Sequence, residues 1–188
     1  MLGSKNNKYN HYKDEALMIS IYNGDVYAFN ELYGRYKSRL LYYFYRMLGN
    51  SKEKSQDFLQ EIFIKIIERP ELFNSSRRFS TWIFSIAHNM CKNEYRSQEV
   101  RKIIKRDEHI DIIQEEDSDN DSQEQIELLF RELELLEEVE KTAFILRYRE
   151  GFSIKEISVV LDLAEGTVKS RLFYTRKKLI EKLQIKNY

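Results

Sequence analysis

On a helix from Thr167 to Lys178 one face gathers eight side chains with polar hydrogens or positive charge: Thr167, Lys169, Ser170, Arg171, Tyr174, Arg176, Lys177 and Lys178. Val168, Leu172 and Leu179 interrupt them at a spacing that, on a helix, turns the apolar residues inward and leaves the donors outward. Such donors suit phosphate oxygens, and an arginine fork also fits the paired acceptors on a guanine edge in the major groove. A basic helix face alone is also what a merely solvated helix shows, so the preceding residues decide its meaning. Ser153-Ile154-Lys155-Glu156 is a capping box, in which the serine hydroxyl accepts from the Glu156 amide and the glutamate reaches back to the cap amide. The helix it starts turns Ile157, Val160 and Leu161 to one side, breaks at Asp162-Leu163-Ala164 and restarts at Glu165-Gly166-Thr167. A short helix, a three-residue turn and a longer helix form the helix-turn-helix arrangement that presents its second helix to duplex DNA.

No comparable arrangement supports catalysis. His11, His88 and His109 are scattered without metal-ligand spacing, and no phosphate loop or dinucleotide fingerprint is present, so neither an enzyme nor a cofactor is expected. The acidic run around Asp107 to Asp121 lacks the glycine and terminal glutamate of a calcium loop. A lone cysteine, Cys91, forms no internal disulfide and supplies no cysteine-based zinc site. No window approaches eighteen consecutive apolar residues and the first residues lack the apolar core of a signal peptide, so the expectation is a cytoplasmic chain without membrane insertion.

The elements that must position these groups are helices. A single proline and six glycines among 188 residues, with one-third of the chain charged, are the composition of an all-α protein. Val26, Phe29, Leu32, Tyr33, Tyr36, Leu40, Tyr43, Phe44 and Met47 mark one buried face of a helix over 25–48, which Gly49 ends. Ser51 opens a second helix with Phe58, Leu59, Ile62, Phe63, Ile66 and Ile67 on its face, running to Pro70. After a polar loop, 71–78, Ser80 or Thr81 is expected to cap a third helix carrying Trp82, Ile83, Ile86, Ala87 and Met90 to about Arg106.

Net charge is zero, with 31 basic and 31 acidic residues, yet the charge is sorted along the chain. Residues 1–95 hold 14 basic and 10 acidic side chains, residues 107–127 ten acidic and no basic, and residues 163–188 seven basic and two acidic. The acidic stretch lacks aromatics and reads as a flexible linker. It separates two small helical domains, 14–106 and 124–188, with 1–13 as a disordered tail and 107–123 as the linker. Beyond it, Ile126, Leu129, Phe130, Leu133 and Leu136 mark one helix, and Val139, Ala143, Phe144, Leu146 and Arg147 another that stops at Gly151.

Three segments together resemble one family. Residues 165–172, Glu-Gly-Thr-Val-Lys-Ser-Arg-Leu, followed by Arg176-Lys-Lys-Leu179, resemble the recognition helix in region four of bacterial RNA polymerase sigma factors of the extracytoplasmic-function (ECF) type. Asp57-Phe-Leu-Gln-Glu-Ile-Phe63 is similar to the region-two helix that docks on the polymerase clamp. Residues 78–90, from Arg78-Phe-Ser-Thr-Trp to Ala-His-Asn-Met90, are similar to the segment that opens and reads the minus-ten promoter element. The likeness spans roughly residues 14–185. It departs from the family pattern at Glu137-Glu138, where proline is common, and at Asp162, where the turn often has glycine. Asp tolerates the left-handed conformation and Glu suits a helix N-terminus, so both substitutions are compatible with the fold.

The resemblance implies an alternative sigma factor that binds core RNA polymerase, through the clamp of the β′ subunit and also β, and promoter DNA. Asp57, Gln60 and Glu61, on one helical face, with Phe63 as an apolar anchor, would meet the clamp. Phe73, Asn74, Arg77, Arg78, Phe79, Ser80 and Thr81 would form the pocket for extruded minus-ten bases, with Asn89, Lys92, Asn93 and Arg96 along the same strand. Phe79 is preferred for the pocket rim, whereas Trp82 is expected in the core. The outward residues from Thr167 to Lys178 would read the minus-thirty-five element, Arg171 and Lys169 first. An anti-sigma factor is a further implied partner. The linker serves as solubilising spacer, or as a nucleic-acid mimic in the polymerase or over the basic helix. A stand-alone helix-turn-helix regulator and a polymerase-binding adaptor are the alternative readings.

Overall fold

The computed structural model describes residues 8–104 and 121–183, all of whose regular elements are helical. Residues 14–104 fold as α1 (Asp14–Tyr22), α2 (Val26–Met47), α3 (Lys52–Glu68), a short 3-10 turn at Pro70–Leu72, and α4 (Phe79–Ile104). The second half consists of α5 (Asp121–Glu134), α6 (Glu138–Tyr148), α7 (Ile154–Leu161) and α8 (Glu165–Lys182). Asp121–Gln123, assigned to the linker from sequence, have helical backbone; the rest of the acidic stretch to Asn120 lies outside the described residues from Lys105 onward.

Side-chain caps fix where the first helices begin. Asp25 accepts from the amides of Tyr27 and Ala28 at 3.0 and 3.2 Å, starting α2, and Ser51 accepts from Lys54 at 3.3 Å, starting α3. Gly49 and Asn50, both at positive φ, make the reversal between these helices. Neither Ser80 nor Thr81 caps α4, since both lie inside a helix that begins at Phe79. The Phe79 amide donates instead to Glu15 Oε1 at 2.9 Å, so a carboxylate from α1 satisfies the first turn of α4.

The N-terminal helix α1 is an element that hydropathy spacing did not reveal, although Leu17, Met18 and Ile21 are buried on it. The chain before it is also fixed, in contrast to a disordered tail up to residue 13. Tyr9 is buried and its hydroxyl donates to Asp25 Oδ2 at 2.5 Å, while Arg35 binds the carbonyls of Tyr9, Asn10 and Tyr12 and the carboxylate of Asp14. One guanidinium thus ties three backbone carbonyls and a helix start to α2.

Tyr36, Leu40, Tyr43, Phe44 and Met47 from α2 and Phe79, Ile83, Phe84, Ala87 and Cys91 from α4 form the centre of the core. Aromatic edges interlock there, with Tyr36 against Phe79 at 5.0 Å and Tyr43 against Phe84 at 5.6 Å between centroids. Val26 and Ile67, assigned to buried faces from spacing, are exposed, as each lies in the end turn of its helix where no neighbour covers it.

The two halves do not stand apart. Buried residues of both form one continuous cluster running from Leu17 through Phe84 to Ile157 and Leu172, beside a smaller cluster of Leu133, Leu136 and Leu179. Phe152, just before the α7 cap, inserts edge-on against Phe84 of α4 at 5.4 Å. Beside it the Tyr43 hydroxyl meets Thr142 Oγ1 at 3.2 Å, and His88 Nδ1 lies 3.5 Å from that same hydroxyl oxygen. At the edges, Arg39 pairs with Glu150 at 2.6 Å and Arg149 stacks 3.5 Å over the Tyr42 ring. Fully burying a phenylalanine contributes about 1.5–3 kcal/mol, so the Phe152 contact holds a substantial part of this closure.

Candidate nucleic-acid interface

The helix-turn-helix has the geometry that its sequence specifies. Ser153 Oγ accepts from the Glu156 amide at 3.2 Å and Glu156 Oε2 accepts from the Ser153 amide at 2.8 Å, completing the capping box. Phe152 and Ile157 flank that box as an apolar pair and both are buried. Asp162 ends α7 in the left-handed conformation at φ 53°, so aspartate fills the place where a turn glycine is common. Ala164 then precedes α8, which buries Val168, Leu172, Thr175 and Leu179.

The opposite side of α8 presents Thr167, Lys169, Ser170, Tyr174, Arg176, Lys177 and Lys178, all exposed. Arg171 is half-buried, with its guanidinium 3.7 Å from the Glu137 carboxylate. That exposed carboxylate orients the arginine without occupying both of its edges. Phe173 is also exposed on this face and rests against Tyr174 at 5.4 Å, an apolar contact point omitted from the sequence-based set. A basic, solvent-facing helix seated on an apolar strip is the arrangement for major-groove contact.

The minus-ten candidates divide into two groups. Asn74, Arg77 and Arg78 are exposed in the loop, Ser80 is partly exposed, and Asn89, Lys92, Asn93 and Arg96 lie exposed along α4. Phe73, Phe79 and Thr81 are buried. Phe79 is therefore not a pocket rim: its ring is fully enclosed by Tyr36, Phe73 and Trp82. Phe79 is a core residue because α4 starts there and turns that position onto α2, and Trp82, expected in the core, packs half-buried against it. Around the loop, Lys13, Arg35, Arg77, Arg78, Ser75, Ser76 and Ser80, with Asp14 and Glu15, line an open cavity of about 540 Å³.

On α3, Asp57, Gln60 and Glu61 are exposed on one face, and Glu61 takes a 2.6 Å contact from Lys65 one turn on. Phe63 is buried, with its ring 4.7 Å from Tyr33 and 5.9 Å from Phe29, and offers nothing to a partner. The i, i+3, i+4 strip thus stands without its expected apolar anchor. Beside it, Tyr33, Lys37, Leu41, Gln56, Leu59 and Gln60 line a shallow cavity of about 370 Å³ between α2 and α3, which can receive an apolar group instead.

Electrostatics at the seam between the halves run against titration at neutral pH. Burial, then the charge of Lys92, hold His88 down at about 4, so its imidazole is neutral beside the Glu138 carboxyl 3.6 Å away. Burial raises Glu138 itself, against the pull of Lys92 and Arg96. Burial acts in the same sense on Glu156, but hydrogen bonds from Ser153 and the Arg78 charge outweigh it and hold that carboxyl below its ordinary range. Among the described residues no cluster of histidine, cysteine and carboxylate side chains could hold a metal ion, and no helix is long and apolar enough to cross a membrane.

Comparison with known proteins matches the same two places. The family model for Sigma-70 region 2 matches residues 32–101, and that for Sigma-70 region 4 matches residues 126–179. The chain is 32% identical over 182 residues to the ECF RNA polymerase sigma-E factor of Haemophilus influenzae, covering 91% of this chain and 95% of that protein. The chain belongs to the ECF family of RNA polymerase sigma factors. The ECF RNA polymerase sigma-E factor of Escherichia coli K12 is 30% identical over 185 residues, covering 91% of this sigma factor and 94% of the relative.

Two solved structures share the fold at 21% identity. Sigma factor RpoE from Bartonella quintana, in complex with the anti-sigma factor NepR, superposes with a TM-score of 0.70, covering 86% of this chain and all (100%) of that one. CnrH in complex with the cytosolic domain of CnrY superposes at 0.68, covering 93% and 99%. As an alternative sigma factor, the protein directs promoter-specific transcription initiation and is not an enzyme. With regions two and four both present, the stand-alone regulator and the adaptor are not favoured.

Proposed function

We propose that the sigma factor divides its work among three exposed surfaces. The Asp57, Gln60 and Glu61 strip on α3 and the adjoining cavity bind the β′ clamp of core RNA polymerase; Asn74, Arg77, Arg78 and Ser80, with Asn89, Lys92, Asn93 and Arg96, hold the opened minus-ten strand; and α8 reads the minus-thirty-five duplex. The observation that supports this most is the separation of two donor-rich surfaces onto different helices, the exposed Asn89, Lys92, Asn93 and Arg96 on α4 and the exposed face of α8 from Thr167 to Lys178. Duplex reading and strand capture need different partners for the bases, a groove-sized helix for one and a loop beside a helix for the other.

The protein acts in the cytoplasm, where core polymerase is, and an anti-sigma factor controls it, as the complexes of its fold neighbours with NepR and CnrY suggest. Charge reversal at Asp57 or Glu61 tests the first surface, since both side chains are exposed and contribute little to stability. Each variant should lose affinity for core polymerase while unfolding at the wild-type midpoint. Wild-type affinity in both variants would overturn the assignment.

A further inference from the structure

Glu137 belongs to the glutamate pair that stands where the family commonly has proline, and the fold sets its carboxylate beside the basic helix. Its backbone is extended just before α6, and its carbonyl accepts from the Lys141 amide at 2.9 Å, closing the first turn. Its side chain makes no cap hydrogen bond, so the helix start does not use the carboxylate. The preceding residue, Leu136, is buried with Leu179 of α8 in one small apolar cluster, which ties this end of α6 to α8. From there the Glu137 carboxylate, 78% exposed, reaches to 3.7 Å from the Arg171 guanidinium, which is 36% exposed. Among the described residues, Lys169, Arg176, Lys177 and Lys178 have no acidic partner from another helix; Lys177 has Glu181, on α8 itself, at 3.9 Å.

We propose that Glu137 is a positioning residue that makes Arg171 a reader of a base edge rather than a clamp on a phosphate. The inference rests on the assignment of α8 to the minus-thirty-five duplex above. Thr167, Tyr174 and Lys178, at three, four and seven residues from Arg171, share its edge of the helix, so the anion stands beside side chains that face the duplex. A guanidinium carries five N–H donors in a rigid planar fork. At 3.7 Å the carboxylate attracts that fork and limits its directions without taking its hydrogen bonds. A phosphate approaching the free donors brings a second anion against Glu137, and this repulsion grows as the interface excludes water. A guanine edge offers neutral acceptors, N7 and O6, and meets no such repulsion. The pair thus lowers general affinity and raises discrimination at one base pair, while Lys169, Arg176, Lys177 and Lys178 stay available to phosphates.

The test uses the full chain joined to core RNA polymerase. Glu137→Gln removes the charge and keeps the shape, and it is combined with Arg171→Ala in a double-mutant cycle. The probes are duplexes carrying the upstream element recovered from the wild-type chain's own mapped start sites, with each position varied in turn, and a scrambled duplex of the same length. Affinities are measured over a series of salt concentrations, and thermal midpoints of the free chains check folding. Since the pair is largely exposed, Glu137→Gln should unfold at the wild-type midpoint.

With Arg171 present, Glu137→Gln should bind the scrambled duplex more tightly and steepen the slope of log affinity against log salt by about 0.9, one added phosphate contact. It should also lower the preference at a single position about tenfold, as loss of one bidentate base contact does. That position should be the one relaxed by Arg171→Ala. With Arg171→Ala already in place, Glu137→Gln should change neither the slope nor the preference. An unchanged slope or preference in Glu137→Gln, relaxation at a different position, or the same changes in both backgrounds would each overturn the proposal; in the last case the carboxylate acts on DNA without Arg171. Failure of the α8 assignment itself looks different: Lys177→Ala with Lys178→Ala would leave the salt slope at its wild-type value, and both readings would fall together.

Discussion

The amide of Phe79, the first residue of α4, donates to the carboxylate of Glu15 in α1 at 2.9 Å. A tertiary contact therefore does what a local serine or threonine cap does elsewhere, and it fixes the register of the helix that carries the minus-ten candidates. Removing a carboxylate cap costs about 0.5–2 kcal/mol. Glu15→Ala should lower the unfolding free energy by that amount, read as a lower denaturant midpoint at an unchanged slope, and an unaltered midpoint would show that the amide finds another acceptor.

The regions legible from sequence are those where local chemistry sets the structure. Ser51 and the Ser153–Glu156 box start their helices as the sequence indicates, and Asp162 takes the left-handed turn. What the sequence hid was set by distant partners. Ser80 and Thr81 are good cap residues, yet Glu15 from another helix supplies the cap and moves the start of α4 to Phe79. Phe79 thereby becomes part of the helix, where its ring packs against Tyr36 and Phe73, while Trp82 stands half-buried beside it. Phe63 shares its helix with an exposed polar strip, and only the positions of Phe29 and Tyr33 on α2 show that it faces inward. The seam was hidden for the same reason, because Arg39, Tyr43, Thr142 and Glu150 show no pattern until two halves meet. Phe152 did carry a signal, as the apolar residue just before a capping box.

Phe79 and Trp82 should now separate by experiment. Phe79→Ala empties a fully enclosed site and should destabilise the protein by about 3–5 kcal/mol. Trp82→Ala, at a half-buried position, should cost less and leave a folded protein whose single-strand binding can be measured. Equal destabilisation by both, read from denaturant curves, would contradict the different burial of the two rings.

His88 gives the fold a dependence on acid. Its imidazole is neutral and buried in the native state, held at about 4 against an ordinary 6.5. An unfolded chain therefore binds a proton more readily than the folded one between these values, so stability falls as pH drops from about 6.5 to about 4 and levels off below. The shift corresponds to a contribution of about 3 kcal/mol that is present above pH 6.5. The thermal midpoint should fall over this range in wild type, and His88→Gln, beside Thr142, Glu138 and Lys92, should flatten that fall. An unchanged pH profile in the variant would assign the acid dependence to other groups.

On α8, Arg171 and Lys178 should behave differently. Arg171→Ala should lose about 1–3 kcal/mol on the preferred upstream element and relax a single promoter position, as expected for loss of a bidentate base contact. Lys178→Ala should weaken binding to all sequences alike and reduce the salt slope by about one ion. Selection of bound duplexes from a randomised pool, repeated at several salt concentrations, distinguishes the two; unchanged sequence preference in Arg171→Ala would make it a phosphate contact.

The central claim is that α4 with its loop and α8 read two promoter elements when the chain joins core polymerase. Purified protein mixed with core RNA polymerase on genomic DNA, with transcript starts mapped by sequencing, tests it directly. The account predicts discrete start sites sharing two upstream elements, with Arg171→Ala altering only the distal one and Lys92→Ala with Arg96→Ala suppressing initiation through the proximal one. Absence of initiation by the wild-type protein, or start sites with one shared element untouched by these substitutions, would contradict it.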